Sequence, residues 1–134
     1  MARVLFVCVE NSGRSQMAEA FARALGGRGV EAASAGSKPS GQINPQTIRF
    51  MSERDISLGG QHSKGLDEIP PGEWDYVVTM GCGDACPWVP ARHREDWDLP
   101  DPKELDDTGF RRVRDEIEDR VRELLKGLGA ESQR

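Results

Sequence analysis

The chain has 134 residues, of which 37% are hydrophobic and 31% are charged, and its formal net charge is −5. A chain of this length forms one globular domain, here over residues 1–134, and is too short for two. The acidic balance argues against a protein that binds nucleic acid or an anionic membrane surface, because such proteins present a basic face.

The sequence also bears on the cellular compartment. No apolar run is long enough to cross a bilayer, and the N-terminus enters an apolar strand too soon to leave room for a signal peptide. We therefore expect a cytoplasmic, monomeric protein. The three cysteines, Cys8, Cys82 and Cys86, are odd in number, and a reducing compartment disfavours structural disulfides. Catalytic, redox-active or incidental roles remain for them.

The spacing of apolar residues predicts alternating strands and helices. Runs of apolar and β-branched residues predict strands at 3–9, 30–37, 74–80 and 93–99. Apolar residues three or four positions apart predict helices at 15–26, 45–54 and 107–128, and a short helical turn is predicted within 63–69. We expect Asn44 to cap the second helix, and Asp107 with Thr108 to cap the third.

This alternation indicates an α/β fold, with a four-stranded parallel sheet flanked by helices on both faces. In such sheets, ligands bind at the carboxyl ends of the strands. Cys8 follows the first predicted strand, Cys82 the third and Asp101 the fourth. We therefore expect these three side chains to converge at one edge of the sheet.

The segment that follows the first strand is a candidate oxyanion-binding loop. After Cys8 it consists of Val9, Glu10, Asn11, Ser12, Gly13, Arg14 and Ser15. Loop N–H groups and the helix N-terminus offer positive partial charge to a tetrahedral anion, and the Arg14 guanidinium can bind two of its oxygens. The same charges favour the thiolate form of Cys8, the form that acts as a nucleophile. A lone cysteine in an apolar strand is more often a core residue, but Cys8 does not stand alone.

Three further side chains complete the predicted site. Ser15 is expected to donate a hydrogen bond to the Cys8 thiolate and to cap the first helix, two roles that are compatible. The Asn11 amide is expected to hold the loop closed by bonding to backbone groups, while Gly13 takes the unusual backbone dihedrals. Asp101 stands between two prolines that fix its direction, and it is the candidate general acid for a departing oxygen.

Cys82 and Cys86 are separated by three residues in a glycine-containing loop. If Cys82 reaches Cys8, a thiol relay follows. Cys82 attacks Cys8, and Cys86 then attacks Cys82, which leaves a Cys82–Cys86 disulfide for an external dithiol to reduce. Two alternatives stay open. The pair is inert, or it binds zinc with His93 and Cys8, although the chain has no second Cys/His pair at zinc-like spacing.

These motifs resemble those of a known family. Cys8-x5-Arg14-Ser15 near the N-terminus and Asp101-Pro102 late in the chain resemble the low-molecular-weight protein tyrosine phosphatases, over nearly the whole chain. The pair Cys82 and Cys86 is similar to the thioredoxin-coupled arsenate reductase branch of that family, because the phosphatases lack these cysteines.

The resemblance implies a low-molecular-weight phosphatase-like, flavodoxin-like fold and the reduction of arsenate to arsenite in arsenic detoxification. It makes Cys8 the nucleophile, Arg14 and the loop amides the arsenate-binding groups, Asp101 the acid, and Cys82 with Cys86 the relay. Arsenate would be the substrate, with phosphate or sulfate as analogues. Thioredoxin would be the external reductant and partner, no cofactor would be tightly bound, and a weak phosphatase side activity is expected.

Some members of the family bind potassium through residues that correspond to Asn11, Glu19 and Ser34, with further ligands after His62. Here Lys64 stands in that last segment, which argues against a potassium site. The spacing between the two relay cysteines is also shorter than in some members. Two other functions stay open: a phosphatase acting on phosphotyrosine or small aryl phosphates, and a metal or redox sensor that uses the three thiols.

Overall fold

The computed structural model describes residues 2–81 and 89–128. Four strands form one sheet: β1 (Ala2–Cys8), β2 (Val30–Gly36), β3 (Trp74–Thr79) and β4 (Ala91–Asp96). Three α-helices accompany them: α1 (Arg14–Gly26), α2 (Pro45–Ser52) and α3 (Asp107–Leu128). Short 3-10 helices cover Gly27–Gly29, Leu66–Glu68 and Pro102–Glu104. Cys82 and Cys86 lie outside the described residues.

The sheet is parallel throughout, with strand order β2-β1-β3-β4. Its central strand, β1, carries an uninterrupted apolar run because both of its faces are covered. Leu5 pairs with Ala33 of β2 and with Val77 of β3, which fixes the register across the middle of the sheet. The predicted four-stranded parallel α/β fold is confirmed.

Alternate residues of β1 pack into two apolar clusters on opposite faces of the sheet. Val4 and Phe6 join the larger cluster, together with Phe21 of α1, Phe50 of α2 and Ile117 of α3. All three α-helices of the described ranges therefore cover the same face, so the predicted helices on both faces are matched on the second face only by the short 3-10 helix Leu66–Glu68.

The other face of the sheet is covered by shorter elements. Leu5 and Val7 pack there with Trp74, and the partly buried Leu66 and Ile69 lie against them. The 3-10 helix Leu66–Glu68 and the segment after it thus take the place of a long helix. No helix in the described ranges combines the length and the apolar character needed to cross a membrane.

The ends of several elements differ from the sequence prediction. Asp106 caps α3, since its Oδ1 accepts a hydrogen bond from Gly109 N at 2.8 Å, so the predicted pair Asp107–Thr108 already lies inside the helix. Strand β4 begins two residues earlier than predicted and ends before Trp97, whose buried ring packs on Phe6. The Asn44 cap is confirmed, with Oδ1 accepting from Gln46 N at 2.9 Å.

Candidate active site

The candidate oxyanion loop connects the end of β1 to the start of α1. Cys8 is 2% exposed, and its Sγ lies 2.8 Å from Ser15 Oγ and 3.3 Å from the donating Asn11 N. A small cavity of about 20 Å³ opens above this sulfur. It is lined by Cys8, Val9, Glu10, Ser12, Gly13, Arg14 and Asp101. The predicted convergence of Cys8 and Asp101 is therefore seen in the structure.

Asn11 holds the shape of the loop. Its backbone is left-handed, with φ of 53°, a conformation that asparagine tolerates better than most residues. The side chain is fully buried, and its Oδ1 accepts hydrogen bonds from Gln16 Nε2 at 2.9 Å and Lys64 N at 3.0 Å. Gly13 takes unusual dihedrals as predicted, since its φ of −133° and ψ of −91° lie outside the helical and extended regions, and Asn11 adds a second unusual conformation that was not predicted.

Ser15 lies directly beneath the cysteine sulfur. Besides its contact with Cys8, its Oγ accepts a hydrogen bond from Asn11 Nδ2 at 2.7 Å. Because Asn11 donates to this oxygen, the Ser15 hydroxyl proton is available for a hydrogen bond to Cys8 Sγ. The prediction that Ser15 caps α1 is wrong, since the helix begins at Arg14, after Gly13, and Ser15 lies inside its first turn.

Gln16 belongs to the site, although the sequence analysis assigned it no role. It is fully buried at the start of α1, and its Nε2 donates to Asn11 O at 3.0 Å and to His62 O at 3.0 Å. Its Oε1 accepts from Gln61 Nε2 at 2.8 Å. The signal in the sequence was a polar residue placed between the loop and the first apolar residue of the helix.

Arg14 is held from the opposite side of the cavity. Its guanidinium is nearly buried, Nη1 donates to Leu99 O at 3.0 Å, and Nη2 lies 3.8 Å from Asp101 Oδ2. Gly81, just after β3, approaches so closely that a Cβ built there would lie 2.3 Å from Nη1. The chain segments after β3 and β4 therefore aim Arg14 at the mouth of the loop.

Asp101 precedes the 3-10 helix Pro102–Glu104, and its Oδ1 accepts from Lys103 N at 3.1 Å. The side chain of Lys103 crosses the mouth of the cavity, where Nζ donates to Glu10 Oε1 at 2.9 Å and lies 3.9 Å from Asp101 Oδ2. The hydrogen bond to Glu10, followed by the attraction of Asp101, raises the pKa of Lys103. Glu10, the one acidic residue of the loop, is thereby neutralised at the rim.

The remaining candidates are placed away from the cavity or already have partners. Glu19 and Ser34 lie together behind the loop, where Ser34 Oγ donates to Glu19 Oε1 at 2.6 Å. Lys64 Nζ lies 3.8 Å from the same Glu19 oxygen. His93, considered as a zinc ligand, sits four strand positions from Cys8, level with Val4, or roughly 13 Å along the sheet.

Within residues 2–81 and 89–128, no group of three or more His, Cys, Asp or Glu side chains could hold a metal ion. The described residues therefore do not supply the zinc set that Cys8 and His93 would need. Cys82 and Cys86, the other members of that set, lie outside the described residues.

Known proteins are similar to this chain in sequence. A curated glutaredoxin arsenate reductase from Synechocystis sp. is 38% identical over 128 residues, which cover 93% of this chain and 97% of that protein. An arsenate reductase from Oceanobacillus iheyensis is 37% identical, with 92% and 94% of the two chains covered.

Arsenate reductases are also found among the solved structures that resemble this chain. An arsenate reductase in the phosphate-binding state superposes with a TM-score of 0.86 at 38% identity, over 95% of this chain and 98% of that chain. A thioredoxin-dependent arsenate reductase from Corynebacterium glutamicum gives a TM-score of 0.78 at 39% identity. The match covers 95% of this chain but 61% of that longer one.

The family resemblance seen in the cysteine and arginine motif extends over nearly the whole chain. The profile of the low molecular weight phosphotyrosine protein phosphatases matches residues 3–134, which is nearly the entire sequence. Together with the relatives at 37% and 38% identity, this match shows that the chain belongs to the low molecular weight phosphotyrosine protein phosphatase family.

Proposed function

We propose that this protein reduces arsenate to arsenite, with Cys8 as the nucleophile. The observation that carries the proposal is the position of Cys8 Sγ, 2.8 Å from Ser15 Oγ and at the base of a cavity that Arg14 and Asp101 also line. The curated relatives of similar length are arsenate reductases, which supports the same substrate.

The first step is attack by the Cys8 thiolate on arsenic(V), which forms an S–As bond. A hydroxyl group of the arsenate leaves as water, with its second proton supplied by Asp101. Loop N–H groups and Arg14 stabilise the charge on the remaining oxygens. Because Arg14 Nη2 lies 3.8 Å from Asp101 Oδ2, one arginine both binds the anion and orients the acid.

The second step is the reduction itself. The Cys82 thiolate attacks Cys8 Sγ, the electron pair of the S–As bond passes to arsenic, and arsenic(III) leaves as arsenite. Cys86 then attacks Cys82, which frees Cys8 and leaves a Cys82–Cys86 disulfide. Two thiols are oxidised in each turnover, and their two electrons match the change from arsenic(V) to arsenic(III).

The path of the chain supports a role for Cys82. Met80 N, two residues earlier, donates a hydrogen bond to Val7 O at 2.8 Å, so the end of β3 runs beside the residue that precedes Cys8. The relay rests on this neighbouring position and on the sequence, since residues 82–88 lie outside the described ranges.

We further propose that a dithiol protein of the thioredoxin type regenerates the relay. A disulfide between Cys82 and Cys86 is the species that such a reductant would reduce. The names of the relatives point to two electron carriers. One relative is called a glutaredoxin arsenate reductase, and another is called a thioredoxin-dependent arsenate reductase. Both carriers should therefore be compared in the same assay, and thioredoxin is expected to give the faster turnover.

The test is arsenate-dependent oxidation of NADPH in the presence of thioredoxin and thioredoxin reductase, with a parallel glutaredoxin and glutathione system. Cys82→Ser and Cys86→Ser are expected to abolish multiple turnover, while Cys8 still reacts once. Mass spectrometry of the arsenate-treated protein should find the Cys82–Cys86 disulfide. Normal turnover in either serine variant would exclude the relay.

A phosphatase acting on aryl phosphates is the second candidate, and the family match favours it. Hydrolysis of an aryl phosphate needs Cys8, Arg14 and Asp101 but neither relay cysteine. Cys8→Ser should remove this activity, and Cys82→Ser should leave it intact. A catalytic efficiency for aryl phosphate that exceeds the one for arsenate would reverse the order of the two proposals.

A further inference from the structure

A buried carboxylate lies behind the oxyanion loop and takes no part in the proposed reaction. Glu19, on the first helix, is 1% exposed, and its Oε1 accepts the hydrogen bond from Ser34 Oγ at 2.6 Å. A buried carboxylate is costly unless cations and hydrogen bonds compensate its charge. The groups that compensate the charge of Glu19 therefore affect the stability of the oxyanion loop that lies in front of it.

Two cationic side chains face Glu19. Arg23, one turn later on α1, pairs with its Oε2, but the Arg23 side chain is 54% exposed. Lys64 approaches from the other side, with Nζ 3.8 Å from Oε1 and its side chain only 10% exposed. Lys64 Nζ also donates to His62 O at 3.2 Å. Burial lowers the pKa of Lys64, and the attraction of Glu19 opposes that effect.

The main chain of Lys64 reaches the site directly. Its N–H donates to Asn11 Oδ1 at 3.0 Å, and its carbonyl accepts from Gly36 N at 2.9 Å. Asn11 in turn donates to Ser15 Oγ, which lies 2.8 Å from Cys8 Sγ. Lys64 thus connects Glu19 to Cys8. Its ammonium faces the Glu19 carboxylate, and its backbone N–H reaches Cys8 by way of Asn11 and Ser15.

From this arrangement we infer that the Lys64 ammonium is a built-in cation, which takes the place of a bound monovalent cation behind the loop. Lys64 is then a positioning residue: by neutralising Glu19 it holds the 62–65 segment, and with it Asn11, in place. A potassium ion would have to bind the same Glu19 oxygen against the charge of the ammonium. The protein should therefore need no potassium, and removal of the ammonium should create a demand for it.

The first test is thermal unfolding in potassium, sodium and tetramethylammonium chloride at equal ionic strength. The native protein is expected to melt at the same temperature in all three salts. Lys64→Ala leaves room for an ion, and it should melt lower in tetramethylammonium chloride and be stabilised selectively by potassium. Its unfolding constant should approach a tenfold fall for each tenfold rise in potassium above the dissociation constant.

Three controls make the melting result specific. Lys126→Ala removes an exposed lysine near the end of α3 and should show no selective response to potassium. The double variant Lys64→Ala/Glu19→Gln should lose the potassium response of the single one. Selective stabilisation of the native protein by potassium, or a Lys64→Ala variant with no ion preference, would overturn the inference.

The second readout is the reactivity of Cys8, which distinguishes positioning of the loop from general stability. The rate of Cys8 alkylation as a function of pH is measured with Cys82 and Cys86 replaced by serine. Lys64→Met, which keeps the aliphatic stem without the charge, should shift this profile, and Lys64→Arg should restore it. An unchanged profile in a folded Lys64→Met protein would refute the positioning role. None of these measurements depends on arsenate turnover, so failure of the proposed activity would leave them informative.

Discussion

A methyl group at Gly81 should displace the Arg14 guanidinium, which is the one part of the oxyanion loop among the nearest neighbours of a Cβ built there. Gly81 has φ of 80°, and a Cβ built on it would lie 2.3 Å from Arg14 Nη1 and 3.4 Å from Leu99 O. Arg14 Nη1 donates to that same carbonyl at 3.0 Å. In Gly81→Ala the guanidinium must therefore move away from Leu99. Because the guanidinium is nearly buried, this movement also changes its direction relative to the cavity.

Two costs follow for Gly81→Ala. A left-handed backbone costs an alanine about 1–2 kcal/mol, which lowers the melting temperature. A displaced guanidinium removes a charged donor from the reacting anion, and loss of one such donor lowers kcat about 100- to 1000-fold. We expect the catalytic efficiency for arsenate to fall by about 100-fold or more, and the stability to fall only modestly.

Gly60→Ala separates these two costs. Gly60 has φ of 88°, and a Cβ there meets no heavy atom within 4 Å. The control thus shares the backbone strain and lacks the collision with Arg14. Both variants are compared by thermal unfolding and by steady-state kinetics. If Gly81→Ala stays within about threefold of Gly60→Ala in catalytic efficiency, the proposed aiming of Arg14 by Gly81 is refuted.

The remaining predictions concern other polar contacts. Ser15→Ala should slow alkylation of the Cys8 thiol at neutral pH by about tenfold, because the hydrogen bond from Ser15 to the Cys8 thiolate is lost. Cys8 in Ser15→Thr, which keeps the hydroxyl, should react at the normal rate. Glu10→Ala and Lys103→Ala should each change kcat/KM for arsenate, and a double-mutant cycle should reveal a coupling of about two- to fivefold, the range of exposed ion pairs. The pKa of Glu53 is lowered from 4.5 to about 2, chiefly by the hydrogen bond from Arg111. Since the folded value is the lower one, this pair stabilises the protein above about pH 4.5 and is lost as the pH falls towards 2. An acid titration followed by circular dichroism should therefore show a smaller loss of stability between pH 4.5 and 2 in Glu53→Gln than in the native protein.

Much of the site was predictable because it is encoded locally. An apolar run followed by Cys8, a short loop and a helical pattern specifies strand, loop and helix in one continuous segment. Parallel topology then brings Asp101 to the same edge, because every strand of such a sheet ends there. These inferences need only the periodicity of the chain and one rule of sheet architecture.

What the sequence did not reveal depends on contacts between distant segments. Gln16 donates from its buried side chain to the carbonyl of His62, and a Cβ at Gly81 would lie only 2.3 Å from Arg14 Nη1, closer than a non-bonded contact allows. Unusual dihedrals were predicted for Gly13 from glycine's tolerance of them, but the left-handed backbone of Asn11 was not predicted. Asn11 takes that conformation because the buried partners of its side chain repay the strain.

These contacts also explain how a chain with a net charge of −5 can hold an anion. Long-range repulsion is screened within roughly 8 Å in physiological salt, whereas loop N–H groups, the start of α1 and Arg14 act at contact distance. The acidic residue of the loop is compensated, since Glu10 pairs with Lys103 at 2.9 Å, and Asp101 adds no negative charge while it holds the proton that it donates. The loop is already tied by Asn11, Gln16 and Lys64, so anion binding need not pay to order it.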